Sequence, residues 1–318
     1  MKGGGVLFLG FEGRRLGSGE ARILRRVRPA GIVLVTRNIG EEEELRELTG
    51  SLRRIVPDAI FCLDAEGGRV DRLRAIAGPS PSAAALGRRP PVASRRSGRL
   101  VGAAVRRFDF DLDFAPVADL DYGRVGNALD ERTFGSSPRS VTARARAFAG
   151  GLHDAGVGSC VKHFPGLGDA PADTHFGLAE INLAPRELRR ALQPFRDLFD
   201  WTTSAMVSHA VYPGWGESVL PASLSRRISH GLLRGESGYR KALFSDDLEM
   251  GALGGYGTLP EIAELALVAG CDGLLFCRRL EEAPAIAERL AHPALSTCLR
   301  RSVGRLARLR RDLARLRR

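Results

Sequence analysis

The sequence predicts an α/β protein folded as a single closed (β/α)8 barrel of the TIM type. Three observations predict it. Short apolar runs recur along the chain, each followed by a longer helical pattern, and eight of them can be counted. The runs are continuously apolar rather than alternating, as expected for parallel strands covered on both faces. A length of 318 residues suits eight strand–helix units in one closed sheet. A doubly wound open sheet is the alternative that pattern alone leaves open.

Taken in order, the first run is Val6–Phe11 and the second Gly31–Thr36. Helical spacing follows over Glu41–Ile55, and the third strand falls at Ile60–Asp64. Gly78–Pro91 holds Pro79, Pro81, Pro90 and Pro91 and reads as a loop rather than a domain boundary. Val92–Arg107 is a helix, Phe110–Phe114 the fourth strand and Thr142–Ala155 the next helix. The fifth to eighth strands are Ser159–His163, Ala205–His209, Ala242–Ser245 and Gly273–Cys277, with helices at Pro185–Phe199 and Pro260–Ala269 among the connections. Right-handed crossovers between parallel neighbours follow from this alternation. No internal repeat and no long linker divides the chain, so one domain is expected over residues 1–318.

The chain closes on a basic amphipathic helix expected at about 294–318. Leu299, Val303, Leu306, Leu309, Leu313 and Leu316 recur at steps of three and four, which places them on one stripe. From Arg300 to Arg318 there are nine arginines and one acid, Asp312, so this tail holds +8 of the chain's +11. The other 299 residues carry only +3. Lys2, Lys162 and Lys241 are the only lysines, so arginine is the chain's general cation. The tail reads as a terminal helix packed on the body with a solvated arginine face. The non-enzyme alternative is a binder of nucleic acid or of a membrane surface working through this helix, and it leaves the acids at the strand ends unexplained. No nucleic-acid partner is expected.

At 44% hydrophobic and 27% charged, the composition excludes a disordered chain and suffices for a large core. No apolar stretch reaches the length of a membrane span, and Val6–Phe11 is too short for the core of a signal peptide. Cys62, Cys160, Cys271, Cys277 and Cys298 are odd in number and scattered, without a CxxC. That usage argues for a reducing cytoplasm over a disulfide framework.

Polar residues collect where the strands end. Asp64 and Glu66 follow the third strand, Asp119 and Asp121 the fourth; Lys162 and His163 end the fifth, Ser208 and His209 the sixth, Asp246 and Asp247 the seventh. In a barrel these positions share the rim where active sites are built. The segment Lys162-His163-Phe164-Pro165-Gly166 runs on to Asp173-Thr174-His175. Asp173 can hold the His175 imidazole and raise its basicity, so that His175 gives and takes a proton near neutral pH; a histidine capping backbone is the plainer alternative. A metal site from Cys160, His163 and His175 fits no usual zinc spacing. Lys162, in a chain that nearly always uses arginine, suggests a compact charge bonded to a substrate hydroxyl. In Ser245-Asp246-Asp247 a carboxylate at a strand end can attack an electrophilic carbon. Strand alternation should turn only one aspartate to the mouth, and Asp247 suits the cap of a following helix. Around Asp64, Glu66, Arg69 and Arg72, acids and arginines suit either a hydroxyl-rich ligand or a self-satisfied salt-bridge network. Arg132, in Asp130-Glu131-Arg132-Thr133-Phe134-Gly135, can reach into the mouth from its loop.

Together these segments resemble the family 3 glycoside hydrolases, and within them the bacterial β-N-acetylhexosaminidases of peptidoglycan recycling. The similarity runs from Gly31-Ile32-Val33-Leu34 and Arg37-Asn38 through Asp64…Glu66-Gly67-Gly68-Arg69-Val70…Arg72, Phe114-Ala115-Pro116-Val117-Ala118-Asp119 and Glu131-Arg132-Thr133-Phe134-Gly135. It continues through Lys162-His163-Phe164-Pro165-Gly166 with Asp173-Thr174-His175, then Ser208-His209 before Tyr212-Pro213, to Ser245-Asp246-Asp247-Leu248-Glu249-Met250. The loop ending in Asp-Thr-His is its specific part. The resemblance implies that Asp246 is the nucleophile, His175 the acid/base and Asp173 its orienting partner, with Asp64, Arg72, Arg132, Lys162 and His163 holding an N-acetylglucosamine. It further implies an enzyme without cofactor or metal, acting on muropeptides or other amino-sugar glycosides, and no second domain such as larger relatives carry; a monomer is expected. A family 3 β-glucosidase and a β-N-acetylglucosaminide phosphorylase are the neighbouring activities. Two departures stand out: Leu167, where relatives usually carry histidine, and Ala170-Pro171-Ala172 before Asp173.

Overall fold

A computed structural model describes residues 2–124, 129–170 and 177–318. Eight parallel strands close into a barrel: β1 (Leu7–Leu9), β2 (Gly31–Val33), β3 (Ile60–Leu63), β4 (Leu112–Asp113), β5 (Gly158–Phe164), β6 (Ser204–Val207), β7 (Ala242–Asp247) and β8 (Gly273–Phe276). Each pairs with its sequence neighbours, and β1 pairs with β8 to complete the ring. All eight expected strands are present, with ends displaced by a residue or more. An antiparallel ribbon, Ala65–Gly67 with Val70–Asp71, stands on the end of β3.

The principal helices on the outside are α1 (Ser18–Val27), α2 (Glu42–Ile55), α3 (Pro91–Arg107), α4 (Pro138–Asp154), α5 (Pro185–Leu198), α6 (Arg227–Glu236), α7 (Leu259–Ala269) and α8 (Ala283–Leu290). Three of them, α3, α4 and α5, begin on a proline, where the missing N–H costs nothing and the fixed φ suits a helix. Glu42, Glu43 and Glu44 open α2 while Arg53 and Arg54 close it, matching its dipole. The connection Gly78–Pro91, expected to be a loop, contains a short helix over Ala83–Gly87, because the Ser82 hydroxyl accepts from Ala85 N at 3.2 Å and caps it. The α6 segment is wound as a π-helix, which no apolar spacing signals.

The barrel interior is aromatic. Phe8, Phe114 and Phe244 meet edge to face, with centroids 4.8 Å (Phe8–Phe244) and 5.4 Å (Phe114–Phe244) apart. Gly31 and Gly273 make room for them: a Cβ on either would collide with the rings of Phe8 and Phe244.

The last helix, α9 (Ser296–Leu316), lies across the opposite end of the barrel, where the strands begin. Val303 packs on Gly5 ahead of β1, Ser302 Oγ donates to Asp272 Oδ1 at 2.9 Å just before β8, Leu313 packs on Gly158 at the start of β5, and Arg317 pairs with Asp111 just before β4. Leu299, Leu306, Leu309 and Leu313 are buried, as the apolar stripe requires, while Val303 and Leu316 are half-buried. Two arginines of this helix are therefore structural. Arg305 pairs with Asp272 at 2.9 Å, and Arg317 also reaches Asp109 at 3.3 Å.

Candidate active site

At the other end the strand termini surround a cavity of about 860 Å³. Its apolar floor includes Val33, Phe114, Met206 and Leu275, and its polar walls include Asp64, Arg72, Asp246 and Asp247. Size and lining suit a small hydroxylated ligand better than a macromolecule. A second hollow of about 640 Å³ lies outside the barrel, between α3 and the loop Gly78–Pro81, and has a mainly apolar lining.

Behind the polar wall runs a chain of charges. Lys162, buried at the end of β5, donates to Asp64 Oδ1 at 2.6 Å and pairs with Glu66 Oε1 at 2.7 Å. Arg132 grips Glu66 through two bonds, Nε to Oε2 at 2.8 Å and Nη2 to Oε1 at 2.7 Å. Arg72 lies 3.6 Å from Asp64 and donates to Thr36 Oγ1 at 3.2 Å. The salt-bridge network that the sequence allowed for this segment is present, and its Asp64–Arg72 end opens on the cavity. Burial would raise the Asp64 and Glu66 carboxyls, but Lys162 with Arg72 beside the first, and Arg132 with Lys162 beside the second, hold both below the usual range. Asp113, fully buried beneath them with Oδ1 accepting from Ala65 N at 2.9 Å, is pushed well above that range by burial.

His163 stands next to Arg132, with Nε2 3.3 Å from Nη2. Its other nitrogen, Nδ1, is 2.7 Å from Asp119 Oδ2. Asp119 is fully buried and also accepts two backbone N–H groups, from His163 at 3.1 Å and from Leu167 at 2.6 Å. One carboxylate therefore fixes both the imidazole and the first turn of the segment that leads toward residue 175. Asp119→Ala is expected to lower kcat by about 10- to 100-fold with a smaller change in KM, since a shift of about 1 Å in the layer that supports the cavity wall costs on that order. Asp119→Asn, which keeps an acceptor, should recover part of it. Equal loss in both variants, or a change in KM alone, would contradict positioning.

The seventh strand carries the pair of aspartates, and here one expectation is corrected. Both Asp246 and Asp247 line the cavity. The β7–β8 register slips between Gly273↔Phe244 and Leu275↔Asp247, so an extra residue bulges out of β7 and breaks the alternation. Nor does Asp247 cap a helix. Its Oδ1 accepts from Glu249 N at 3.1 Å and Cys277 N at 3.3 Å, tying the ends of β7 and β8, and the next α-helix begins only at Leu259 behind the cap of Thr258. His209 braces the pair: Nδ1 is 2.7 Å from Ser223 Oγ and Nε2 is 2.9 Å from the Asp247 carbonyl.

The two carboxyls are driven apart. For Asp246 burial acts upward, but His209, His163, Lys162 and the donated Asp247 N–H outweigh it and leave the group below the usual range. For Asp247 burial leads and the charges of Glu249 and Asp246 add to it, so its pKa rises to about 6. A carboxyl raised in the folded state favours folding at low pH, and that contribution is lost as pH climbs from about 4 through about 6. Asp247→Asn should accordingly leave stability near pH 4 unchanged and raise it near pH 8 by about 2–3 kcal/mol, read from denaturant midpoints at the two pH values. A variant less stable at both would overturn this.

Of the residues singled out in the sequence, Asp64, Arg72 and Asp246 line the cavity, while Lys162, Arg132 and His163 form the layer behind it. Asp173 and His175 lie outside the described residues. The contributions of Asp119 and Glu66 to this layer were not assigned from sequence, although both stand in the segments that carried the resemblance.

A barrel with a strand-end cavity and paired carboxylates is compatible with a glycoside hydrolase, and comparison with known proteins establishes that class. The family model for the glycosyl hydrolase family 3 N-terminal domain matches residues 10–308. A β-hexosaminidase of Alkalilimnicola ehrlichii is 38% identical over 299 residues, covering 91% of this chain and 85% of that protein. One from Pseudomonas aeruginosa is 37% identical over 276 residues, covering 86% and 82%. The structure of a family 3 β-N-acetylglucosaminidase from Paenibacillus sp. superposes with a TM-score of 0.90 at 29% identity, covering 98% of this chain and 62% of that longer one. The chain belongs to glycosyl hydrolase family 3. Within that family it is an enzyme of the β-N-acetylhexosaminidase type, the group of those relatives.

Proposed function

We propose that the protein is a retaining exo-β-N-acetylglucosaminidase that releases terminal N-acetylglucosamine from muropeptides and related amino-sugar glycosides. The observation that carries the reading is the Asp246 carboxylate, kept ionised at the end of β7 and facing the same cavity as Asp64 and Arg72. In the first step a carboxylate oxygen of Asp246 bonds to the anomeric carbon while the glycosidic C–O bond breaks, and His175 gives its proton to the departing oxygen. In the second, His175 takes a proton from water, the water oxygen bonds to the anomeric carbon and Asp246 leaves. Configuration is retained because the carbon inverts twice. Asp173 orients His175, a role that rests on the sequence resemblance alone. Asp64 and Arg72 meet the sugar hydroxyls, and Lys162, His163 and Arg132 hold that wall in place or reach the ligand from behind it.

The relatives named as β-hexosaminidases support the substrate class. Five free cysteines, four of them buried, suit a reducing cytoplasm, and no helix among the described residues is long and apolar enough to cross a membrane. We place the enzyme there, as a monomer. The test is turnover of a disaccharide muropeptide beside simple N-acetylglucosaminides and glucosides, with the anomer of the first-formed product read by NMR. The β-anomer of N-acetylglucosamine is expected. The α-anomer would reject retention, faster glucoside turnover would make the protein a β-glucosidase, and a sugar phosphate formed in phosphate buffer would make it a phosphorylase. His175→Ala should hydrolyse poor leaving groups slowly and be partly rescued by azide on an activated one; full rate on poor leaving groups would remove its acid/base role.

A further inference from the structure

The mechanism above uses nothing at the opposite pole of the barrel, where α9 lies. Once Arg305 and Arg317 are spent on Asp272, Asp109 and Asp111, the remaining arginines divide by exposure. Arg300, Arg308, Arg311, Arg315 and Arg318 are exposed, and steps of three and four (through Gly304) put them on one outward stripe, with Arg301 beside it. Among the described residues, only Arg315 of these six has a carboxylate partner, Asp312 of the same helix. The stripe runs about 27 Å along the axis at 1.5 Å per residue. Neighbouring α6 adds His230, with Arg226 just ahead of its first turn. The His230 imidazole is lowered first by burial and then by Arg226, Arg234, Arg305 and Arg301, which registers the positive field over this face.

We infer that this arginine stripe is a docking surface for an anionic phospholipid bilayer, which it holds flat against the floor of the barrel with the catalytic cavity facing away. Three features favour a bilayer over a nucleic acid. The helix is half embedded in the barrel floor through Leu299, Leu306, Leu309 and Leu313, so the body beside it blocks entry into a groove. From Arg300 to Arg318 there is no aromatic side chain on which a base can stack and no asparagine or glutamine to read one. A straight row of exposed guanidiniums matches a plane of phosphates, each contributing independently and falling off with salt.

The experiment is co-sedimentation of the whole protein with vesicles of phosphatidylcholine alone and with phosphatidylglycerol added to about one third, at low and at physiological salt. Binding is expected only to the anionic vesicles and should weaken as salt rises. The triple variant Arg301→Glu/Arg308→Glu/Arg311→Glu should lose affinity at least about tenfold while hydrolysing a soluble chromogenic substrate at the unchanged rate. A control with the same net charge, Arg22→Glu/Arg25→Glu/Arg26→Glu on the exposed side of α1, should keep its binding. Equal loss in both variants would reduce the effect to net charge and overturn the proposal. So would absence of binding to anionic vesicles, or displacement from them by duplex DNA at matched phosphate concentration.

Discussion

Replacing Asp246 with asparagine is expected to abolish hydrolysis of a chromogenic β-N-acetylglucosaminide, by roughly ten-thousand-fold in kcat, with the melting temperature nearly unchanged. The amide keeps the shape of the carboxylate and can still accept the Asp247 N–H now 2.9 Å away, so packing is preserved while the negative charge that attacks carbon is gone. Asp246→Glu keeps the charge and moves it by about 1 Å, so a loss of about 100-fold is expected instead. The contrast between the two variants is the informative part: a charge needed only for binding would tolerate the longer side chain better than that. Turnover of Asp246→Asn within tenfold of the parent would remove the nucleophile from this position and turn attention to Asp247, the other carboxyl on the same cavity.

The largest expected loss of stability is at Asp272. Its carboxylate is fully buried and takes four donors: Arg234 Nη2 at 2.7 Å, Leu243 N at 3.0 Å, Ser302 Oγ at 2.9 Å and Arg305 Nη1 at 2.9 Å. Asp272→Ala leaves the buried Arg234 guanidinium without its counter-charge and takes the acceptor from the other three donors. We expect it to cost about 3–5 kcal/mol and to lower the melting temperature by roughly 5–15 °C. Asp272→Asn retains acceptors without the charge and should fall between the two. Thermal and denaturant unfolding measure both, and a cost below about 1 kcal/mol for the alanine variant would show that the cluster does not hold α9 to the barrel.

How far the molecule was legible beforehand varied with the range of the interaction involved. The eight strands could be read because burial on both faces leaves an unbroken apolar run, a property each strand carries within itself. The terminal helix could be read for the same reason, since Leu299 to Leu313 write their stripe locally. The bulge at Asp246-Asp247 could not, because it exists only in the register of β7 against β8, a relation between segments some 30 residues apart. Asp119 was likewise only one acid among several near the fourth strand. Its importance comes from where His163 and the Leu167 N–H stand in space, and β4 is so short that alternation gives no guidance six residues past its end. At the site, Lys162, His163 and Arg132 are thus written in motifs, whereas the supporting bonds of Asp119 and the facing of Asp247 are written in tertiary geometry.

The seat of α9 bears on how the molecule comes apart. A bare ring of parallel strands has eight equivalent seams at which it can begin to unzip, and half-barrels are its natural fragments. Here a single rigid bar is fastened near β1 and β8 at one end and near β4 and β5 at the other, so it straddles both halves. Neither half can swing away without first lifting the bar. Unfolding is thereby pressed toward one concerted event that begins with the detachment of the final twenty residues.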